Sequence, residues 1–250
     1  MLTQERFEEI VRIISRDGAA TVQELAQQLE TSESTVRRDL IQLDRLGKVR
    51  KVHGGATAAV QLEAVPERNM QEKYSRNIEA KRRIAAYAAS LVAADDFIFL
   101  DAGSTTEQLA EFLTEYNATY MTNGITLAQK LAAKGFKTIL VPGKVKATTD
   151  AVIGSAAVEF LRDYYFTKGF FGTNGITVEA GFTTPDNEEA DNKRMAMKHC
   201  HKPYVLADNG KFGHLSKVSF GGLKQAAIIT TDGGKLSLKA YKQYTEVVEL

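Results

Sequence analysis

The chain has 250 residues, of which 44% are apolar and 25% charged, a composition typical of a globular domain rather than a disordered or fibrous one. A formal net charge of +1 gives no overall indication of nucleic-acid binding, and the single cysteine, Cys200, excludes an intrachain disulfide and suits a reducing compartment. No signal peptide is recognisable, and the most apolar stretch, residues 84–94, is too short to span a bilayer, so we expect a cytoplasmic protein.

The N-terminal residues predict three short helices. The first covers residues 4–16, with its large apolar side chains on one face. Thr21, followed three residues later by Glu24, has the capping-box pattern and begins a second short helix. Ser32 can cap a third helix over residues 33–45. Two short helices with so tight a connection form a helix-turn-helix, whose second helix enters the major groove of DNA.

The third helix has a narrow apolar stripe and a basic opposite face. With about 100° per residue, Val36, Leu40 and Leu43 fall on one side. Arg38 and Arg45 fall on the other side, where guanidinium groups can contact phosphates and base edges. The pattern alone fits an ordinary solvated amphipathic helix better, because charge on an outer face is the norm.

The residues after this helix favour DNA binding. Gly47 ends the helix, and residues 48–56 read as a short strand, a Gly-Gly turn and a return strand, which is a basic wing. Residues 1–36 carry three basic and seven acidic side chains, whereas residues 37–53 carry six basic and two acidic ones. A basic surface on one side of a small domain is the electrostatic signature of a phosphate-backbone binder.

The motif from Ser32 to Leu40, with Leu43, Gly47 and residues 53–56, resembles the signature of the DeoR family of bacterial transcriptional regulators. The resemblance implies a winged helix-turn-helix over residues 1–57 that binds double-stranded operator DNA, usually to repress sugar catabolism. The candidate DNA-binding residues are Ser32, Ser34, Thr35, Arg37, Arg38, Gln42, Arg45, Lys48, Arg50, Lys51 and His53.

Residues 58–74 are predicted to be a connector that turns helical near residues 70–75, and residues 75–250 an α/β domain. Continuous apolar runs alternate with helical patterns, which indicates a mostly parallel sheet covered on both faces. The predicted strands are 97–100, 119–121, 138–141, 168–171, 204–207 and 227–230. The predicted helices are 78–92, 107–113, 126–133, 155–164 and 188–201.

Polar segments at the strand ends predict a ligand site. Residues 101–106, Asp-Ala-Gly-Ser-Thr-Thr, follow a buried strand and precede a predicted helix, an arrangement suited to a phosphate. The pentapeptide Thr-Asn-Gly-Ile-Thr occurs at residues 122–126 and 173–177, each time after a strand. Asn-Gly is a common turn, but two such turns could also face one crevice at the carboxyl ends of the strands.

Residues 73–250 resemble the DeoR-family effector domain, which is similar in fold to ribose-5-phosphate isomerase. The resemblance implies that the loop at 101–106 holds a phosphate and that Lys73, Lys81, Asp208 and Lys211 take part in the response to a phosphorylated sugar. Pro142-Gly143 and Asn209-Gly210 depart from the usual family residues and leave the sugar open. The candidate effector-binding residues are Lys73, Lys81, Asp101, Gly103, Ser104, Thr105, Thr106, Thr122, Asn123, Asn174, Lys193, Asp208 and Lys211.

Other interpretations are weaker. His199-Cys200-His201 suggests zinc, but adjacent residues on a helix point in different directions, so we expect no metal and no cofactor. The acids at residues 186–191 fit a first helical turn better than a catalytic cluster. A sugar-phosphate isomerase that uses Asp101, Glu189 and Lys193 remains the alternative to a regulator, although no spacing requires it. We expect a homo-oligomer, a dimer or tetramer, because one recognition helix reads few base pairs.

Overall fold

A computed structural model describes residues 2–58, 61–62, 69–231 and 238–250, which group into two compact units. Residues 59–60 and 63–68 of the predicted connector lie outside the described residues. The elements of the first unit are α1 (Thr3–Asp17), β1 (Ala19–Thr21), α2 (Val22–Gln28), α3 (Glu33–Arg45), β2 (Val49–Val52), β3 (Gly55–Ala58) and β4 (Gln61–Leu62).

The second unit begins with the helices α4 (Met70–Tyr74) and α5 (Ile78–Ser90). Its other helices are α6 (Leu109–Phe112), α7 (Ile125–Ala133), α8 (Ser155–Leu161) and α9 (Asn187–Lys198). Its strands are β5 (Phe97–Leu100), β6 (Thr119–Thr122), β7 (Lys137–Leu140), β8 (Lys144–Lys146), β9 (Ala151–Ile153), β10 (Phe166–Gly172), β11 (Gly175–Thr177), β12 (Gly181–Thr184), β13 (Cys200–Leu206), β14 (His214–Leu215), β15 (Val218–Gly221), β16 (Ala227–Thr230) and β17 (Val247–Glu249).

The first unit is a winged helix-turn-helix, as predicted. The apolar faces of the three helices meet in one buried cluster, in which Ile10, Ile14, Leu25, Leu40 and Leu43 have no exposed surface. The wing strands β2 and β3 pair antiparallel, and β3 also pairs with the unpredicted strand β1, giving the order β1-β3-β2. A late helix, α10 (Lys239–Lys242), is grouped with this unit although it was expected in the effector domain.

The second unit is built on a parallel sheet of seven strands in the order β17-β16-β13-β10-β5-β6-β7. Helices α5, α6 and α7 contribute to a buried cluster with β5, β6 and β10, and α9 packs against β10 and β13. The predicted α/β fold is therefore confirmed. Because all seven strands are parallel, their carboxyl ends lie at one edge of the sheet, where open α/β sheets bind ligands.

Several elements differ from the sequence prediction. Residues 104–108 form turns, so the helix predicted from residue 107 begins only at Leu109. The helix predicted to reach residue 201 ends at Lys198, and Cys200 and His201 lie in β13. The antiparallel sheet β11-β12-β15 and the hairpin β8-β9 were not predicted. Within the described part of the chain, no helix combines the length and the apolar character required to cross a bilayer.

Candidate DNA-binding surface and effector cavity

The recognition helix α3 has defined ends. Ser32 caps its N-terminus by accepting a hydrogen bond from the backbone N–H of Thr35 at 3.2 Å. At the other end the N–H of Lys48 donates to the carbonyl of Leu43 at 2.9 Å, and Gly47 takes a φ of 66° that permits this reversal. The helix is therefore fixed in length, and its exposed face is a rigid surface.

Two of the three acidic side chains of α3, Asp39 and Asp44, have partners outside the helix. Asp39 is buried and accepts two hydrogen bonds from Arg6 of α1, at 2.5 and 3.2 Å. Asp44 accepts the backbone N–H of Lys51 at 2.9 Å and so attaches the first wing strand to the helix. Sequence reasoning counted both acids as surface charges. Their actual partners leave the exposed face of the helix more basic than the residue count implied.

All the predicted DNA-binding residues lie on the surface. Thr35 is half-buried, and the others are exposed. Arg37 pairs with Glu33 at 2.8 Å, whereas Arg38 has no ion pair or hydrogen bond among the described residues. The guanidinium group of Arg38 can therefore engage a base or a phosphate without first breaking a contact within the protein.

The wing is a tight hairpin held against β1. Val52 pairs with Gly55 next to a turn at which Gly54 has a φ of 82°. A side chain at Gly55 would meet the carbonyl oxygen of Ala20 at 2.3 Å, so only glycine allows β1 and β3 to approach this closely. The glycines predicted as a turn thus have two different roles, one in the turn and one in packing.

The second unit contains a cavity of about 250 Å³ at the carboxyl ends of its strands. Five basic side chains, Lys73, Arg76, Lys81, Lys193 and Lys211, and two acidic ones, Glu189 and Asp208, line it. The predicted residues on its wall are Lys73, Lys81, Gly103, Ser104, Thr105, Asn174, Lys193, Asp208 and Lys211. The excess of positive charge suits an anionic ligand.

The loop at residues 101–106 places Gly103, Ser104 and Thr105 on the cavity wall. Within the described residues, the N–H groups of Gly103, Ser104, Thr105 and Thr106 have no hydrogen-bond acceptor. The Thr106 hydroxyl is buried and donates to the carbonyls of Asp101 and Gly103 at 2.6 and 2.9 Å. Thr106 therefore stabilises the conformation of the loop without lining the cavity. The predicted helix N-terminus is not formed there, and its place is taken by successive turns whose N–H groups lack an acceptor among the described residues.

Asp101 and Lys193 form a buried ion pair beside this loop. Asp101 also accepts the backbone N–H of Gly172 at 3.0 Å, and Lys193 donates to the carbonyl of Gly172 at 3.1 Å. Burial raises the pKa of the Asp101 carboxyl, and the Lys193 ammonium opposes that shift. Lys193 reaches the cavity wall, whereas Asp101 lies behind it and holds Lys193 in position.

Lys81 is a buried cation on the wall of the cavity. Only 4% of its surface is exposed, and its ammonium donates to the backbone carbonyl of Lys73 at the end of α4. The pKa of Lys81 is lowered to about 8, mainly by burial; Asp208 opposes this shift, and the nearby charges of Lys211, Lys73 and Arg76 contribute to it. An anion placed here would restore the stability of its charged form.

Asn77 is a residue that the sequence reasoning missed. It lies between α4 and α5 with a φ of 50° and a ψ of 40°, a left-handed conformation that asparagine tolerates better than most residues. Its side-chain amide donates to Asp208 at 2.8 Å, and the same carboxylate oxygen accepts the N–H of Gly210 at 3.0 Å. Asn77 thus joins the start of the second unit to the predicted Asp208 segment.

The two copies of the repeated pentapeptide differ in structure. Asn174 lies on the cavity wall. Asn123 is buried instead, where it accepts the N–H of Ala102 at 2.8 Å and donates to the carbonyl of Val152 at 3.2 Å. Thr122 is also buried and accepts the N–H of Gly124 at 3.0 Å. Asn123 supports the loop at residues 101–106 through Ala102, Thr122 stabilises its own turn, and neither lines the cavity, so the two turns do not present equivalent groups.

Glu189 is the centre of a further polar group at the cavity. It accepts the hydroxyl of Thr149 at 2.6 Å and pairs with Lys146 at 3.1 Å. Burial raises the pKa of Glu189, but Lys193, Thr149 and Lys146 outweigh it and hold the pKa below its usual value. Asp186 caps α9 by accepting the N–H of Glu189 at 2.9 Å, as expected for an acidic first turn. Neither Lys146 nor Thr149 belongs to a sequence motif that would have predicted its contact with Glu189.

The described residues contain no group of three or more His, Cys, Asp or Glu side chains placed to hold a metal ion. His199 stacks on Tyr165, with ring centroids 4.7 Å apart and planes inclined by 6°. Burial raises the pKa of the Cys200 thiol to about 12, so it is a poor source of thiolate.

Comparison with known proteins gives matches over both units. The model described as the DeoR-like helix-turn-helix domain matches residues 6–61, and the one described as the DeoR C terminal sensor domain matches residues 76–233. Ribose 5-phosphate isomerase A of Methanocaldococcus jannaschii matches 54% of this chain and 55% of its own at a TM-score of 0.40 and 15% identity, which is too slight a likeness to bear on function.

Relatives match along the whole length. One from Bacillus subtilis (strain 168), named "Uncharacterized HTH-type transcriptional regulator FruR", is 42% identical, with 99% of this chain and 98% of the relative covered. The lactose phosphotransferase system repressor of Streptococcus mutans is 35% identical, with 99% and 100% covered. These matches confirm a regulator rather than the isomerase alternative. The chain belongs to the DeoR family of transcriptional regulators.

Proposed function

We propose that this protein represses a sugar-utilisation operon and that a phosphorylated sugar, bound in the cavity, lowers its affinity for operator DNA. The observation that carries the proposal is the cavity itself, which combines five basic side chains with three loop residues, Gly103, Ser104 and Thr105, whose backbone N–H groups lack an acceptor among the described residues. A phosphate is the common metabolite group that needs both backbone donors and positive charge.

Within this cavity the proposed phosphate lies on the loop from Gly103 to Thr105, with Lys81, Lys73 and Lys211 as the nearby cations. Asn174 and Asp208 are placed on the wall to bond sugar hydroxyls, and the Asp101–Lys193 pair fixes the floor beside them. The Asn174 amide supplies hydrogen-bond donors and an acceptor, and the Asp208 carboxylate supplies acceptors, as a polyhydroxylated ligand requires. The relative named lactose phosphotransferase system repressor supports the link to sugar metabolism.

We propose that each segment has the function expected from the domain boundaries predicted from the sequence. Residues 1–57 bind DNA, residues 58–74 connect, and residues 75–250 bind the effector, with α10 as the departure from this scheme. For the sugar to release DNA, it must bind the DNA-incompetent arrangement more tightly, because a ligand shifts an equilibrium only through its differential affinity. We propose no cofactor and a homo-oligomeric, cytoplasmic protein.

The test measures operator affinity with and without fructose 1-phosphate, tagatose 6-phosphate and glycerol 3-phosphate, with unphosphorylated fructose as the control. Wild-type affinity should fall with one of the phosphorylated ligands and not with fructose. Lys211→Ala should still bind the operator but should lose the response, because it removes a cation from the cavity wall. A response to fructose but to no phosphorylated ligand would contradict the proposed phosphate loop.

A further inference from the structure

Ile41 is an apolar side chain on the exposed face of the recognition helix. It is 40% exposed and lies outside the buried cluster that holds Val36, Leu40 and Leu43. At about 100° per residue, Ile41 lies about 140° around the helix from Val36, whereas Arg45 and Arg38 lie at about 180° and 200°. The isoleucine therefore lies on the face predicted to meet DNA, next to the two arginines.

The surroundings of Ile41 are polar on every side. Arg38 precedes it by three residues and Arg45 follows it by four, the spacings at which helical side chains are neighbours. Both acids of the same helix segment are engaged elsewhere, Asp39 with Arg6 and Asp44 with the backbone of Lys51. A β-branched residue here adds nothing to the core and is a poorer helix former than alanine. A single exposed apolar side chain is ordinary by itself, and what singles out Ile41 is its place between two arginines on the face predicted to meet DNA.

We propose that Ile41 is a specificity-determining residue that contacts the C5 methyl group of a thymine in the operator. The thymine methyl is the apolar group that the major groove of unmodified DNA presents, and an exposed aliphatic side chain is its complement. The flanking arginines hold the helix in the groove through phosphates and guanine edges, and Ile41 adds discrimination at one base pair. This inference rests on the proposed operator binding.

The experiment begins with the full-length wild-type protein and a library of random-sequence duplexes, from which the preferred duplex is selected. Each thymine of that duplex is then replaced in turn by deoxyuridine, which removes the C5 methyl and leaves base pairing unchanged. The wild type should lose about three- to tenfold in affinity at one thymine of each half-site, the effect of losing one buried methyl contact.

The Ile41→Ala protein should bind the unmodified duplex more weakly by the same factor and should be indifferent to deoxyuridine at that thymine. Ile41→Val, which keeps a branched side chain, should retain part of the sensitivity. Leu46→Ala is the matched control, because Leu46 is 61% exposed at the end of the same helix but lies about 280° from Val36, off the proposed face. It should leave the deoxyuridine profile unchanged.

Three results of the binding measurements would overturn the inference: no thymine methyl that affects the affinity of the wild type, full deoxyuridine sensitivity retained by Ile41→Ala, or an Ile41→Ala loss of affinity that is equal on selected and random DNA. The last result would make Ile41 a backbone contact. A changed sedimentation coefficient for Ile41→Ala would also overturn it by assigning the residue to self-association. If the wild type selects no sequence at all, the proposed operator binding fails instead.

Discussion

Arg37 and Arg38 are adjacent on α3 but differ in what engages their guanidinium groups. Arg37 pairs with Glu33, whereas Arg38 points outward with no partner among the described residues. Arg38→Ala should therefore weaken operator binding by about 1–3 kcal/mol, and by less on random DNA, if it contacts a base edge. Competition binding at fixed salt measures both values. Arg37→Ala is the control, and it should weaken both DNAs equally; an equal loss for Arg38→Ala would make Arg38 a phosphate contact.

Because the pKa of Lys81 is lowered, we expect effector binding to depend on pH. Its pKa in the free cavity is about 8, and a bound phosphate would raise that pKa by favouring the ammonium. Below the free pKa the cation is already present, whereas above it binding must take up a proton. Effector affinity should thus fall as pH rises past 8, by up to about tenfold per pH unit, until the pKa of the complex is reached.

Calorimetry at pH 9 in two buffers of different ionisation enthalpy measures the proton uptake directly. At that pH a phosphate monoester is already a dianion, since its second pKa is about 6, so the ligand itself does not contribute. Uptake should approach one proton in the wild type and vanish in Lys81→Met. Unchanged proton uptake in Lys81→Met would show that a group other than Lys81 takes up the proton when the effector binds.

At the scale of elements, the sequence was most informative where an element has both a periodic apolar pattern and a cap. For α3, Ser32, the stripe of Val36, Leu40 and Leu43, and Gly47 together predicted both ends and the buried face. Six of the seven parallel strands were predictable from short, largely apolar runs, whereas β17 was not predicted. Such signals are local, and they depend little on which other segments pack against them.

The missed elements lack local signals. The strands β11, β12 and β15 are short and rich in glycine and threonine, and they exist because they pair with one another across the chain. The helix expected after the loop at residues 101–106 is shorter than predicted because residues 104–108 form turns, in which the buried Thr106 hydroxyl donates to the carbonyl of Asp101. Likewise, nothing in the sequence marks Asn123 as a buried support and Asn174 as a wall residue.

The junction between α4 and α5 carries its own prediction. Asn77 is left-handed there and donates to Asp208. Both variants remove the hydrogen bond; Asn77→Ala also strains the left-handed backbone, whereas Asn77→Gly raises the entropy of the unfolded chain, so the alanine variant is the worse by a net of about 1 kcal/mol. Urea unfolding should show the alanine variant less stable than the glycine variant by about that amount. Equal stability of the two variants would show that the left-handed conformation is not maintained in solution.

For the whole molecule, the small size of the DNA-binding surface makes a prediction about assembly. One recognition helix of 13 residues and one short wing can contact only a few base pairs, whereas useful specificity requires two half-sites about one helical turn apart. We therefore expect at least a dimer at micromolar concentration, measured by sedimentation velocity, and an operator with two-fold symmetry.

A dimer should also be detectable from how DNA affinity depends on salt concentration. Each phosphate contact contributes about −0.9 to the slope of log affinity against log salt, so a wing contact made by Lys51 in both protomers counts twice. Lys51→Ala should flatten the slope by about two for a dimer and about one for a monomer, with equal losses on operator and random DNA. An unchanged slope would contradict the wing contact, and a monomer that binds the operator one to one would contradict the dimer.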